Sequence, residues 1–443
     1  MPAVERSSGG GVTSRLRVGI AGLGTVGRGV VKLFADGGSR LNEKLQLVAV
    51  SARKAGQDRG VDLGAYRWVD DPVALASDPN IDVFVELIGG AGGVAKAAVE
   101  AALARGAHVV TANKALLAVH GAQLATLAER NGAKLLFEAA VGGGVPMVKA
   151  LKESVAGSRA SSVAGILNGT CNYILTEMEN SGRSFEAVLA EAQSMGYAEA
   201  DPTTDVGGFD AAHKLTILSA IAFGTRPDYE HVRIQGIERV TLTDIRLAAK
   251  LGYRIKLIAK GALADGAVEM HVRPACLSYD HPLASVNGSL NALVVDAEPS
   301  GQLTFIGRGA GEGPTAASVA SDLIDLAEGR AGFAFGKPLS QLAAAPRATP
   351  AERGRYYLRL LVKDRPGVVA AISDRLAHEE ISIESFLQMP VHSGPAVPIV
   401  LTTQTCSRAK IEAAVRAIEA LDVVAEAPLL MPVEQAGQSW GRS

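Results

Sequence analysis

Leu16-Arg17-Val18-Gly19-Ile20-Ala21 runs without a break into Gly22-Leu23-Gly24-Thr25-Val26-Gly27. The first six residues have the apolar content of a short buried strand, and residues 28–35 carry a helical pattern, so the order is strand, GxGxxG, helix. Each glycine has a distinct use in that context. Gly22 permits the tight turn, Gly24 lets backbone approach a pyrophosphate, and Gly27 allows close helix–strand packing. The helix N-terminus is then aimed at phosphates, with Thr25 and Val26 in the loop as further candidates for cofactor binding. A second apolar strand at residues 45–50 follows at the spacing of a βαβ unit, which turns a weak motif into a strong one.

That second strand ends in Ser51-Ala52-Arg53-Lys54 with no acid to hold the ribose hydroxyls of NAD. Two cations there suit a 2′-phosphate, so NADP(H) is preferred and NAD(H) stays open, as does a plain surface role for Arg53. Strand patterns at 83–87, 108–111 and 134–137 alternate with helical ones at 94–104 and 122–131, the pattern of a parallel, helix-covered sheet. Ligands sit at the carboxyl ends of such strands, which directs attention to Ile88-Gly89-Gly90 and to Thr111-Ala112-Asn113-Lys114.

The bulk numbers narrow the class. A chain of 443 residues suggests two or three domains, and 48% hydrophobic against 20% charged residues is a globular balance. A formal net charge of −2 without any long basic block argues against nucleic acid. Cys171, Cys276 and Cys406 lie far apart and without CxxC spacing, which speaks against a disulfide framework or a zinc site and fits a reducing cytoplasm. The first 15 residues have no apolar core, and no apolar stretch approaches the ~20 residues of a membrane span, so neither export nor a membrane is expected.

Two segments in the middle carry chemistry. Phe137-Glu138-Ala139-Ala140-Val141-Gly142-Gly143-Gly144-Val145-Pro146 joins a strand end to a triple-glycine turn, either a domain hinge or a set of exposed carbonyls that, with one carboxylate, holds a hard cation. Gly196 to Lys214 reads GYAEADPTTDVGGFDAAHK, with four acids, three of them ahead of a mostly apolar helix at about 208–221 and the fourth in its first turn. Asp210 and Lys214 stand at i and i+4 on one face of that helix, which implies a buried or half-buried ion pair. The pair is either a structural salt bridge or a reacting site: a carbonyl reduced by hydride needs a proton donor, and a substrate ammonium needs carboxylates. Asn168-Gly169-Thr170-Cys171 reads as a strand-to-helix turn with Thr170 as the cap, and Cys171 and His213 as packing residues.

GYAEADPTTDVGGFDAAHK resembles the signature of the homoserine dehydrogenases, and GLGTVG, ANK, EAAVGGGVP and LNGTCNYIL occur with it in the order that family shows, over residues 16–337. The resemblance implies that Lys214 exchanges the proton at the reacting oxygen and that Lys114 assists on the nicotinamide side. Glu199 and Asp210 would hold the amino acid substrate, with Asp205 supporting them. Glu138 and the backbone of Val141, Gly143 and Val145 would bind a sodium ion. The helix at 316–328 would return to the nucleotide domain with Gly311 near the cofactor, and strands at 253–260, 267–273, 291–296 and 302–306 would form a mixed sheet through which the chain dimerises.

After a Pro-, Ala- and Gly-rich stretch, residues 355–362, 368–379, 381–389, 397–403 and 408–421, with a short last strand, follow the order βαββαβ. This tail resembles an ACT domain, whose DRPGV turn binds a small amino acid, with Asp364 and Gly367 at the matching positions. Threonine is the natural effector; a tail that only dimerises is the other reading. The expected architecture is α/β: a Rossmann nucleotide-binding domain (15–140, completed by 307–335), an α+β catalytic and dimerisation domain (141–306), a linker (336–353) and the ACT domain (354–432). The activity implied is NAD(P)H-dependent reduction of aspartate 4-semialdehyde to homoserine by a cytoplasmic homodimer or homotetramer. A non-catalytic dinucleotide and amino acid sensor, or another Rossmann amino acid reductase, is the alternative.

Overall fold

The computed structural model describes residues 15–264, 267–344, 353–388 and 396–434. The described residues form two compact units: one holds 15–116 with Gln123–Ala139 and Gly311–Ala334, the other Leu117–Ala122, Ala140–Ala310 and the described residues from Phe335 onward.

In the first unit six strands, β1 (Leu16–Ala21), β2 (Leu45–Ser51), β3 (Arg67–Trp68), β4 (Val83–Glu86), β5 (His108–Thr111) and β6 (Leu135–Leu136), pair in parallel in the order β3-β2-β1-β4-β5-β6. The strands are apolar on both faces because helices cover both, and every residue of β4 is buried. Strand order reverses between β1 and β4, the point at which such sheets open a ligand crevice. Gly22 stands there at φ +100°, where a Cβ would lie 2.3 Å from the Leu87 carbonyl oxygen. Gly27 lets the helix pack down, since its Cβ would fall 2.0 Å from the Gly22 carbonyl oxygen.

The first helix spans Thr25–Ala35, three residues earlier than its apolar pattern suggests. The helix expected at 122–131 is the second half of Lys114–Arg130. Its first half escaped the pattern because Ala115 to Val119 are apolar without a break and show no period. The helix Glu312–Ala327 lies on Thr25–Ala35 and lends Ala316, Val319 and Leu323 to the same core as Val18, Ile20 and Val30.

The second unit is built on a mixed sheet. Its strands are β7 (Arg159–Ile166), β8 (Arg233–Ile234), β9 (Tyr253–Ala264), β10 (Ala267–Ser278), β11 (Leu290–Glu298), β12 (Gly301–Arg308), β13 (Arg353–Lys363), β14 (Ile383–Gln388), β15 (Ala396–Thr403), β16 (Cys406–Ser407) and β17 (Leu429–Glu434). The order is β12-β11-β7-β9-β10-β17-β13-β15-β14, with β8 beside β10 and β16 beside β13. The tail strands β13, β14, β15 and β17, with the helices Val368–His378 and Arg408–Glu419, form the βαββαβ unit around their own core. Met389, expected to end the second tail strand, lies outside the described residues, as do residues 345–352 of the expected linker.

Sheet pairing carries the tail onto the middle of the chain: β17 runs parallel to β10, with Cys276 opposite Val433. Asp244, with no exposed surface, sits at this seam. Its carboxylate closes a capping box with Thr241 and accepts from the Tyr357 hydroxyl at 3.2 Å. The Arg359 guanidinium lies 3.1 Å away as an ion pair, although its Nε is not aligned for a hydrogen bond. Burial raises the Asp244 carboxyl above its ordinary value, and Arg359 offsets only part of that rise.

Candidate functional site

The dinucleotide loop has the properties a pyrophosphate needs. The Thr25–Ala35 helix has no side-chain cap and no acid in its first turn, so its leading N–H groups face outward with the helix dipole behind them. Nothing lies within 4 Å of a Cβ built at Gly24, leaving that approach open. Beyond β2, Arg53 and Lys54 are both exposed. Arg59 folds back beneath them, donating to the carbonyls of Lys54 (2.5 Å) and Gln57 (2.8 Å) with its guanidinium 5.4 Å from the Trp68 ring centre. Gly311, at φ +117°, caps the Glu312–Ala327 helix.

Across the switch point, Glu86 at the end of β4 is fully buried and organises the neighbouring loop. One carboxylate oxygen accepts from the N–H groups of Ile88 (2.7 Å) and Gly89 (3.0 Å), the other from the Thr111 hydroxyl (2.6 Å). Asn113 caps the next helix through Leu116 N–H and donates to the Gly90 carbonyl at 2.8 Å. Lys114 therefore opens a helix whose start is fixed on both sides, and it is half-buried. Asn113 lay in the loop Thr111–Lys114 that the sequence pointed to, but Glu86 was not singled out. An acid ending a buried apolar strand was the available signal.

In the second unit, Gly208 at φ +85° starts the helix Phe209–Phe223 and Gly224 at φ +64° ends it. Lys214 is 8% and Asp210 5% exposed. Lys214 Nζ donates to Asp210 Oδ2 at 2.7 Å and to the Leu167 carbonyl at 2.8 Å. Among the described residues those two acceptors engage two of the three N–H bonds of the ammonium, and the third meets no protein acceptor.

The carboxylates are gathered by Asn168. Its amide NH₂ donates to Asp205 Oδ1 (2.8 Å) and Asp210 Oδ2 (2.9 Å), while its Oδ1 accepts from Cys171 N–H (2.8 Å). Asn168 is thus the N-cap of the helix Gly169–Ser181, the place expected for Thr170. Thr170 instead donates to the Tyr197 carbonyl at 2.8 Å, because Asn168 is the last extended residue after β7 and its shorter reach to Cys171 wins. Asparagine before Gly-Thr at a strand end was the signal overlooked.

Glu199 lies exposed on the segment that follows the helix Phe185–Ser194, held through its backbone carbonyl by Gln193 Nε2 at 3.0 Å. Cys171 is buried against the Asp205 carbonyl at 3.2 Å, and burial, reinforced by Asp205 and Asp210, pushes its thiol well up, which keeps it a packing residue. His213 stacks on Tyr229 with ring centres 4.6 Å apart.

Glu138 is buried, and its N–H donates to Asp322 Oδ2 at 2.8 Å. Gly142 (φ +76°) and Gly143 (φ +55°) bend the following turn. No cluster of three His, Cys, Asp or Glu side chains that could hold a metal ion occurs among the described residues. In the tail, a cavity of about 310 Å³ is lined by Val362, Asp364, Gly367, Val368, Gln388 and Ile399. No described helix is long and apolar enough to cross a membrane.

A 3-2-1-4-5-6 parallel sheet with an open glycine loop, together with a buried carboxylate-held lysine, defines a nicotinamide-dinucleotide oxidoreductase. Family models named homoserine dehydrogenase NAD binding domain, homoserine dehydrogenase and ACT domain match residues 22–138, 146–324 and 356–423. The chain is 41% identical over 429 residues to a homoserine dehydrogenase of Neisseria gonorrhoeae, covering 94% of this chain and 98% of the relative. It is 40% identical to one of Pseudomonas aeruginosa, over 95% and 99%. The solved homoserine dehydrogenase of Thiobacillus denitrificans superposes with a TM-score of 0.88 at 39% identity, over 95% and 99% of the two chains. A hyperthermophilic archaeal homoserine dehydrogenase in complex with NADPH gives 0.61 at 26% identity, over 70% of this chain and 97% of that one. The chain belongs to the homoserine dehydrogenase family and carries a C-terminal ACT domain.

Proposed function

We propose that the chain reduces L-aspartate 4-semialdehyde to L-homoserine in the cytoplasm, on the way to threonine, methionine and isoleucine. The observation that carries this reading is Lys214, buried yet held as a donor by Asp210 and the Leu167 carbonyl. The bound nicotinamide supplies the hydride to the aldehyde carbon. Lys214 gives its free N–H proton to the nascent alkoxide, and in the reverse direction takes the proton of the alcohol. Asp210 and Glu199 receive the substrate ammonium, and Asp205, tied to Asp210 through Asn168, keeps that end negative. Lys114 assists on the nicotinamide side.

NADP(H) is the proposed cofactor, on the loop of Gly22, Gly24, Thr25, Val26 and Gly27 with Gly311 nearby. The exposed Arg53, where an acid would hold NAD, supports the choice, as does the NADPH complex of the archaeal relative. Replacing Arg53 by Ala raises the KM for NADPH about tenfold, the equivalent of one charge-assisted contact, and leaves that for NADH unchanged. A sodium ion held by Glu138 and the carbonyls of Val141, Gly143 and Val145 is proposed from the donor chemistry. The cavity beside Asp364 and Gly367 is the proposed site for threonine as inhibitor, and a homodimer or homotetramer the proposed assembly. The domain limits given in the sequence analysis are proposed with them.

Assaying homoserine oxidation by purified protein with NADP or NAD, with and without threonine, tests the reading. Turnover with NADP and inhibition by threonine are expected. A protein inert with both cofactors in sodium or potassium salt is a sensor and not a dehydrogenase.

A further inference from the structure

The carbonyl that holds Lys214 is itself held. Leu167 O accepts from Lys214 Nζ at 2.8 Å and from Asn291 Nδ2 at 3.0 Å. Asn291 stands 77 residues beyond the lysine in the chain, yet sheet register delivers it: β11 pairs with β7 so that Ala292 faces Ile166, which sets Asn291 beside Leu167.

The slot around this amide is built for it. A Cβ on Gly309 would lie 2.1 Å from the Asn291 side-chain carbon, and one on Gly169 would lie 2.7 Å from the Ser289 carbonyl and 3.3 Å from Asn291 Oδ1. Any larger residue at either position would push the amide out. Asn291 is 1% exposed, and its Oδ1 has no hydrogen-bond partner among the described residues. Leaving a buried acceptor unpaired costs on the order of 1–3 kcal/mol, so stability alone favours an apolar side chain of similar size here.

A second amide returns the contact from the other side. Asn172 Nδ2 donates to the Leu290 carbonyl at 3.0 Å, so β11 and the start of the helix Gly169–Ser181 are clasped reciprocally. The Asn172 amide cannot flip, because its Oδ1 accepts from the buried Lys256 Nζ at 2.9 Å. That ammonium also meets Thr176 Oγ1 (3.3 Å), the Val286 carbonyl (2.7 Å) and Asn287 Oδ1 (3.1 Å).

We infer that Asn291 is a positioning residue for the proton donor, which acts by fixing the Leu167 carbonyl against Lys214, and that Lys256 supports it through Asn172. The inference rests on the reading of Lys214 as the proton donor. With Leu167 O anchored, the ammonium is pinned at two of its three N–H bonds and the third keeps one direction. With the anchor removed the carbonyl can rotate away, and the lysine swings about Asp210 alone.

Asn291→Leu keeps the branch point and the number of heavy atoms and removes both the donor and the unpaired oxygen. The expected result is a melting temperature equal to or above that of the wild type, with kcat for homoserine oxidation lowered about 10- to 100-fold, the effect of a small misplacement of a reacting group. The KM for cofactor is expected to stay put, and the isotope effects on kcat, from deuterium on the carbinol carbon and from heavy water, to rise. A merely structural residue moves the melting temperature and not the isotope effects. Lys256→Met is expected to shift kcat and the isotope effects the same way by a smaller factor, and Asn291→Ala carries the same test if the leucine variant does not fold. A kcat within twofold of wild type, or a loss of rate with unchanged isotope effects, overturns the inference. If Lys214→Ala also keeps its rate, the reading of Lys214 falls and takes the inference with it; if Lys214→Ala is inactive, only the inference fails.

Discussion

Lys214 and Lys256 are buried in the same unit, 8% and 1% exposed, and the protein manages their charges in opposite ways. Lys214 has a carboxylate at 2.7 Å and one carbonyl. Lys256 has four oxygens around it, all neutral. A carboxylate keeps a buried ammonium charged and so keeps a proton available. A neutral cage can orient the same group but does little to offset its desolvation. Burial accordingly pulls Lys256 down to about 7, with Arg254 adding to the effect and Glu179 opposing it. Among the described residues the comparison separates a lysine with one N–H bond free of protein acceptors from one whose N–H bonds are all taken up by the fold.

Removing each ammonium breaks the comparison most sharply. Lys214→Ala is expected to lower kcat by about 10²–10⁴, the usual contribution of a positioned acid–base group, while cofactor binding, followed by nicotinamide fluorescence, is retained. A loss of less than tenfold would place the proton donor elsewhere.

Asp210→Asn converts the first environment into something closer to the second. The lysine then stands among neutral acceptors without the compensating charge, and breaking a buried pair by removing one partner costs roughly 3–5 kcal/mol. Denaturant unfolding is expected to show a loss at the lower end of that range, because Asn168 and Leu167 still meet the two side chains. An unchanged midpoint would mean that the pair is more solvated than its burial indicates.

Asp210 and Lys214 were visible as a pair because four residues on a helix is a fixed distance, and Gly22 to Gly27 were visible because a phosphate loop is a local object. Most of the longer strands were visible for the same reason, but β3, β7, β8 and β16 were given no range, and β9 and β10 run four and five residues past their expected ends. The rest of the site depends on contacts that the chain makes at long range. Glu86 meets Thr111 across 25 residues, Asn168 meets Asp210 across 42, and Lys256 meets Asn172 across 84. No periodicity encodes such meetings. The alliance of β17 with β10 is silent for the same reason: an apolar strand states its need for neighbours and not which strands they are.

The last test asks whether Lys256 titrates inside the fold. The unfolded chain keeps its proton up to the ordinary value of 10.5, and the folded protein releases it near 7. Between those values the unfolded state binds more protons, so stability rises with pH across that window, by at most about 1.4 kcal/mol per unit for a single group. Below pH 7 both states are protonated, and the cost of burying the charge is present in full. Lys256→Met has no such proton, so the stability difference between variant and wild type is expected to be flat below about pH 7 and to move in favour of the wild type as pH rises toward 10. Urea midpoints for both proteins at pH 6, 8 and 9.5 read it directly. A difference that stays constant across the three would mean that the four oxygens hold the ammonium charged after all, and that the neutral cage is worth as much to a buried lysine as the carboxylate is to Lys214.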